Sequence, residues 1–317
     1  MAIALVFPGQ GSQTVGMGKA LADTFPEARA VFEEVDAALG EKLSTLIFEG
    51  PEDQLTLTAN AQPALMAVSV AAWRALQSRG FDFGSVDFVA GHSLGEYSAL
   101  AAAGSLTVTE TAKLLRIRGN AMQSAVPAGE GGMAAIIGLD QQAVEALCRD
   151  VAEGEVCEPA NDNGGGQIVI SGSASAIARA VALAGERGAK RAIPLTVSAP
   201  FHCSLMQPAA EAMRAALAEA TIVAPAVPLV ANVLASAISD PDEIRERLVE
   251  QVTGQVRWRE SVEYLAAGGV DTLIEIGSGK VLSGLAKRID RNLKTLAVGA
   301  PDDIDAALAA ARGGAEA

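Results

Sequence analysis

Gly91-His92-Ser93-Leu94-Gly95 is the segment of this chain best suited to covalent chemistry. It follows the apolar run Val86-Asp87-Phe88-Val89-Ala90, which reads as a buried strand. It precedes the stretch 96–103, alanine-rich and of good helix propensity. A Gly-x-Ser-x-Gly turn between strand and helix holds a serine hydroxyl exposed on a strained bend. Its glycines let the two backbones approach where a Cβ would not fit. The helix behind it aims free N–H groups at the place where an oxyanion would form. With 32 glycines in 317 residues, the five-letter pattern could arise by chance. The strand before it and the helix after it make Ser93 the expected nucleophile.

A serine hydroxyl needs a base within reach. The chain has two histidines, His92 and His202. Adjacent side chains on a sharp bend diverge, so His92 is poorly aimed at Ser93 and His202 is the expected base by elimination. It ends Val197-Ser198-Ala199-Pro200-Phe201-His202, a strand end followed by a proline turn, where sheet enzymes place catalytic groups. Carboxylate bases are weaker candidates near neutral pH. Cys203 is a lesser rival to Ser93 because it has no comparable turn. No carboxylate stands out to orient the imidazole; a backbone or side-chain carbonyl would serve instead, giving a Ser-His dyad.

Leu115, Arg118, Met122 and Ala125 fall on one face of the helix expected over 109–126. A guanidinium on that largely apolar face needs an anionic or strong acceptor partner. An internal ion pair satisfies it, and so does a bidentate clamp on a substrate carboxylate; spacing does not choose between them. The loop Pro8-Gly9-Gln10-Gly11-Ser12-Gln13 fails GxGxxG because Thr14 stands where the third glycine belongs. Gly277-Ser278-Gly279-Lys280 fails the P-loop pattern, so nucleotide binding is poorly supported. A loop at a strand end can still aim a backbone N–H at an oxyanion, and Gln10 is the candidate for that role.

The scaffold that positions these groups is legible in outline. A chain of 317 residues, half of them hydrophobic and 20% charged, can build a large core and two domains. No apolar run is long enough to span a bilayer, and the segment 1–7 reads as a first strand rather than a targeting signal. A net charge of -14 argues against nucleic-acid binding. It allows an anionic substrate at a local basic patch such as Arg187-Gly188-Ala189-Lys190-Arg191. Cys148, Cys157 and Cys203 lack metal-site spacing, so no metal is expected, and they fit a reducing cytoplasm. Strand and helix alternate over 1–126; a flexible break follows at 127–132. The order β-α-β-β-α-β over 133–197 is that of a ferredoxin-like unit. The expected fold is α/β: a large domain with a mainly parallel sheet (1–127 and 198–317) and a small ferredoxin-like α+β domain inserted at 128–197. Expected details include a helix opening at Pro63, a strand over 191–197, and a strand over 227–234. Pro225 and Pro228 make that last strand an edge or a late starter.

Taken together, several segments resemble the malonyl-CoA:acyl carrier protein transacylases of fatty acid synthesis. They are Phe7-Pro8-Gly9-Gln10-Gly11-Ser12-Gln13, Gln62-Pro63-Ala64-Leu65, the Ser93 turn through Ser98, Arg118-Gly119, the stretch from Asn161 to Gly172, Pro200-Phe201-His202-Cys203 and Val256-Arg257-Trp258. The resemblance runs through nearly the whole chain. It implies an α/β hydrolase-like large domain with a ferredoxin-like insertion, and ping-pong acyl transfer with no cofactor beyond the coenzyme A thioester substrate. By that analogy Ser93, activated by His202, takes malonyl from malonyl-CoA and passes it to the phosphopantetheine thiol of acyl carrier protein. Gln10 and Leu94 N–H groups would hold the oxyanion, and Arg118 the malonyl carboxylate. The main-chain carbonyl of Gln251 would orient His202. Phe201 resembles malonyl-selective members, and Asn161 fits the ligand-facing loop, where an Asx turn explains it equally well.

One departure is visible: Gly254-Gln255 stands where the family often has Asn-Pro, which puts the local turn in question. A hydrolase of the same fold would use Ser93 and His202 without an arginine clamp. A polyketide extender-loading enzyme is a closer rival, and a non-catalytic interaction module is a rival of a different class. An acidic carrier would dock at a local positive region, with Lys190 and Arg191 as the first option and Lys287 or Arg288 as the second. The expected working form is a cytoplasmic monomer.

Overall fold

The computed structural model describes residues 2–312; Met1 and residues 313–317, the last part of the expected large domain, lie outside the described residues. Ten strands form two sheets. They are β1 (Ala2–Phe7), β2 (Phe88–Gly91), β3 (Gly131–Ile137), β4 (Cys157–Asp162), β5 (Gln167–Ser173), β6 (Arg191–Pro194), β7 (Leu229–Ala231), β8 (Ser236–Ile238), β9 (Val270–Ile276) and β10 (Lys294–Val298). The large sheet runs β10-β9-β1-β2-β7-β8 and is parallel except for the β7–β8 pair. The small sheet runs β4-β5-β3-β6, antiparallel throughout. Its two helices, Gln141–Ala152 and Ala174–Ala184, complete the β-α-β-β-α-β order of a ferredoxin-like unit.

The central strand explains why the large sheet is covered on both faces. Ile3, Leu5 and Phe7 of β1 enter one core; Ala4 and Val6, pointing the other way, enter a second. Neither face has a polar stripe to show to water. The small sheet behaves differently. Ala134, Ile136, Ile168 and Ile170 pack under its own helices, whereas Met133, Ala135 and Val169 on the opposite face join the core of the large sheet. That second face roofs the cavity described below.

Local signals set the helix ends. Val108–Ser124 starts on a capping box, with the Thr107 side chain accepting from the Glu110 N–H and the Glu110 carboxylate accepting from Thr107. Pro26–Leu39 has proline in its first turn and Gly40 in the left-handed conformation after its end.

Three expectations are corrected. The helix expected from Pro63 runs over Thr58–Ser78 with Pro63 inside it. Sixteen of its 21 residues are buried, and that packing outweighs the one backbone hydrogen bond a proline removes. The strand expected over 191–197 ends at Pro194, paired with Ala134. Leu195 to Val197 leave the sheet and line the cavity. The strand expected over 227–234 starts late, at Leu229, and is not an edge: β7 lies between β2 and β8, a short strand the sequence reading missed. Pro228 still contributes through its carbonyl, which accepts from the Val89 N–H. Among the described residues, no helix is long and apolar enough to cross a membrane.

Candidate active site

Ser93 stands at the C-terminal end of β2, between Gly91 and the helix Gly95–Ala102, with φ 54°. Both glycines are dictated by contact. A Cβ on Gly91 would lie 1.9 Å from the Gly95 carbonyl carbon, and one on Gly95 would lie 2.2 Å from the Phe7 oxygen. The Asn232 side chain, just past β7, braces the strained bend. Its Oδ1 accepts the Ser93 N–H at 2.8 Å, and its Nδ2 donates to the Gly91 oxygen at 2.7 Å.

The structure brings His202 to Ser93 across 109 residues of chain: Ser93 Oγ and His202 Nε2 are 2.7 Å apart. On the far side of the ring, Nδ1 donates to the Gln251 carbonyl at 2.8 Å and to the Gly254 carbonyl at 3.2 Å. These acceptors fix the tautomer that leaves Nε2 with a lone pair toward the serine. Among the described residues, no carboxylate takes part. Gly254, which departs from the resembling family, supplies one of the two carbonyls, so the altered turn keeps an acceptor on the ring. His202 itself has a positive φ, 58°. Burial, then the positive charge of Arg118, push its pKa down to about 3, so the imidazole is neutral at physiological pH.

His92 turns away, as expected of the neighbour on a sharp bend. Its Nε2 meets Asn163 Oδ1 at 2.9 Å and its ring lies 5.7 Å from that of Trp258. Cys203 is fully buried, its thiol donating to the Pro200 carbonyl at 3.2 Å and burial holding its pKa up at about 11.

Arg118 is 1% exposed. Its Nη1 donates to Gln62 Oε1 at 2.8 Å, and its Nη2 donates to Gln251 Oε1 at 2.9 Å and to Ser93 Oγ at 3.1 Å. None of these partners is a carboxylate, and among the described residues Arg118 makes no ion pair within 4 Å. The internal ion pair left open by the spacing is therefore not what holds it. The sequence reading also missed Asn232, the side-chain roles of Gln62 and Gln251, and Glu96. Gln62 was visible only through the resemblance. Asn232 carried no local signal at all.

These groups meet in one cavity of about 380 Å³ between the large sheet and the small one. Gln10, Leu94 and Phe201 line it beside Ser93, Arg118 and His202; Asn161 and Asn163 line the side belonging to the small sheet. The Gln10 and Leu94 amides make no hydrogen bond among the described residues. Leu94 stands at the N-terminal end of a helix, where the peptide dipole favours negative charge. The basic stretch 187–191 lies outside the lining, and Arg187 is paired with Asp150 at 2.7 Å. The Gly277–Lys280 loop is no anion site either. The Glu275 carboxylate already accepts the Leu282 and Ser283 N–H groups at the start of the following helix.

A serine on a strand–turn–helix bend, touched by a neutral imidazole on a mainly parallel α/β sheet, defines the class of serine-nucleophile enzymes that handle acyl groups. Within that class, the chain belongs to the acyl transferase domain family, which it matches over residues 4–298. It is 50% identical over 307 residues to the malonyl CoA-acyl carrier protein transacylase of Bacillus subtilis, covering 96% of each chain. It superposes on a crystal structure of acyl-carrier-protein-S-malonyltransferase from Bartonella henselae with a TM-score of 0.96 and 62% identity, covering 98% of this chain and 99% of that one. A malonyl-transacylase in complex with its type II polyketide acyl-carrier protein matches with a TM-score of 0.94 at 44% identity, covering 97% of this chain and 99% of that one.

Proposed function

We propose that this protein moves a malonyl group from coenzyme A to the phosphopantetheine thiol of an acyl carrier protein for fatty acid synthesis, through a malonyl ester on Ser93. The observation that carries the reading is the meeting of two groups on one oxygen. Ser93 Oγ touches the neutral ring of His202 on one side and, on the other, the buried guanidinium of Arg118, which is hydrogen-bonded to no carboxylate. A plain serine esterase has no use for the second.

In the first half-reaction His202 Nε2 takes the Ser93 proton as Oγ attacks the thioester carbonyl. The Gln10 and Leu94 N–H groups receive the developing oxyanion. Collapse breaks the carbon–sulfur bond, and His202 returns the proton to the departing coenzyme A thiolate. In the second half the carrier's thiol gives its proton to His202, attacks the malonyl ester, and Ser93 Oγ leaves with that proton. Throughout, Arg118 holds the distal carboxylate by a charge-assisted pair, exchanging its Ser93 contact for the substrate. Phe201 narrows the pocket toward an unbranched acyl group, and Asn161 faces the thioester arm. The Gln251 carbonyl keeps the His202 ring in register.

Residues 1–127 and 198–317 act as the catalytic domain in this reading, and 128–197 as an insertion that walls the cavity. The two sheets share no strand, and the second is built wholly within residues 131–194. Carrier docking is placed on the rim of that wall. Lys190 packs on Gly138 and Arg288 on Gly165, flanking the glycine loop 164–166 next to Asn163. With Arg191 and Lys287 these cations are exposed and offer an acidic carrier a local positive field on an otherwise acidic protein. The enzyme would work as a monomer in the cytoplasm, needing no cofactor beyond its thioester substrate. Its three free cysteines, all buried, accord with a reducing compartment. A second reading, the same transfer to a polyketide carrier, is favoured by the 44%-identical relative described with such a carrier.

The test is intact mass after incubation with malonyl-CoA. The wild type should gain one malonyl group and lose it on addition of acyl carrier protein, while Ser93→Ala gains none. No adduct on the wild type, or one that persists in Ser93→Ala, overturns the proposal.

A further inference from the structure

Glu96 is 1% exposed, one helical turn past the nucleophile, and has no part in the steps above. Its carboxyl group touches both residues whose side chains tie down the Ser93 backbone, Gln251 at its side-chain amide and Asn232 at its backbone N–H. One oxygen accepts from the Gln251 side-chain amide, and the other accepts the Asn232 N–H at 3.4 Å. Asn232 in turn holds the Ser93 N–H, and Gln251 Nε2 donates to the Ser93 carbonyl at 2.9 Å. The other end of the Gln251 amide, Oε1, accepts from Arg118 Nη2.

A glutamine amide can be turned end for end at little intrinsic cost, and its hydrogen-bond partners decide which end points where. Here the two partners are complementary. Arg118 can only donate, and Glu96 presents an acceptor oxygen. If the amide were reversed, its NH₂ would face the guanidinium, a donor–donor contact, and its oxygen would face the Ser93 carbonyl and the Glu96 oxygen that both accept from Nε2 now. We propose that Glu96 is a positioning residue that locks the direction of the Gln251 amide and thereby aims the Arg118 guanidinium at the substrate carboxylate. This rests on the malonyl-transfer reading above.

The environment of Glu96 adds a second consequence. Burial raises its pKa to about 8. Facing it are Arg118, from the helix Val108–Ser124, and Tyr97, next along its own helix; the Asn232 and Gln251 amides are neutral. As pH rises through about 8, a negative charge appears beside Arg118 and competes with the malonyl carboxylate for it.

The test measures single-turnover acylation of the whole enzyme by malonyl-CoA and by acetyl-CoA, which lacks the distal carboxylate, across pH 6.5–9. Glu96→Ala should lower the malonyl-to-acetyl rate ratio about tenfold, the size of one misdirected charge-assisted hydrogen bond. Glu96→Gln, which keeps an acceptor oxygen for Gln251, should restore the ratio. In the wild type KM for malonyl-CoA should rise above pH 8 with acetyl-CoA unaffected, and this rise should vanish in Glu96→Gln. A parallel loss with both substrates, or an unmoved ratio in Glu96→Ala, overturns the proposal. If Glu96→Ala does not fold, the pH arm decides alone: the same malonyl profile in wild type and Glu96→Gln overturns it. A wild type inert toward malonyl-CoA would defeat the transferase reading itself. An active wild type with unmoved ratios would defeat only the role of Glu96.

Discussion

Arg118→Ala separates the proposed transferase from a hydrolase of the same fold. The native guanidinium is buried and donates to two amide oxygens and to Ser93 Oγ. A substrate carboxylate would accept at least two charge-assisted bonds from it, each contributing about 1.5–3 kcal/mol in a site closed to water. Removing both costs malonyl acylation about 3–6 kcal/mol, a fall of about 10²–10⁴ in rate. An acetyl group makes neither bond. For acetyl-CoA the substitution removes the donor that occupies Ser93 Oγ and the positive charge that depresses the basicity of His202. Acetyl acylation should therefore hold or rise. The truncation also strands the Gln62 and Gln251 oxygens and lowers stability, so the informative quantity is the ratio of acylation rates for malonyl- and acetyl-CoA on the same preparation. That cost is common to both substrates and cancels. The ratio should drop by at least about 100-fold. Equal collapse with both substrates would refute the clamp and leave Arg118 as a structural residue.

Two further outcomes are expected. His202, at about 3 in the fold against 6.5 when free, stays neutral where the unfolded chain is protonated, so it lowers stability as pH falls below 6.5. Glu96, at about 8 against 4.5, holds a proton that the unfolded chain has released, so it lowers stability as pH rises from 4.5 to 8. The two slopes oppose each other between 4.5 and 6.5; of the two groups only Glu96 acts from 6.5 to 8, at about 1.4 kcal/mol per pH unit. Denaturant unfolding of Glu96→Gln should lack that alkaline decline; slopes parallel to the wild type would count against it. On the surface, Lys190→Glu with Arg288→Glu should raise KM for the carrier and leave coenzyme A kinetics nearly unchanged. An unaltered carrier KM removes the docking surface.

The local part of this site could be read directly from residue order. The turn around Ser93 is specified in part by near neighbours: Gly91 is demanded by the Gly95 backbone four residues on, whereas Gly95 is demanded by the Phe7 carbonyl at the end of β1. Scarcity did the same for His202, since the only other imidazole sits where the bend turns it away. The alternation of strand and helix, and the β-α-β-β-α-β stretch, followed from side-chain periodicity, which acts over a few residues at a time. Tertiary structure decided everything that depends on partners far along the chain. It placed β7 inside the sheet although two prolines precede it, because the short β8 pairs on its outer side. It gave Arg118 amide partners in place of the carboxylate that its apolar face equally allowed. It set Asn232, Gln251 and Glu96 around Ser93, the first two from 139 and 158 residues away. A hydrogen bond across such a separation leaves no period, spacing or composition in the chain. It exists only once two sheets and their connections have packed and left those polar groups no water to bind.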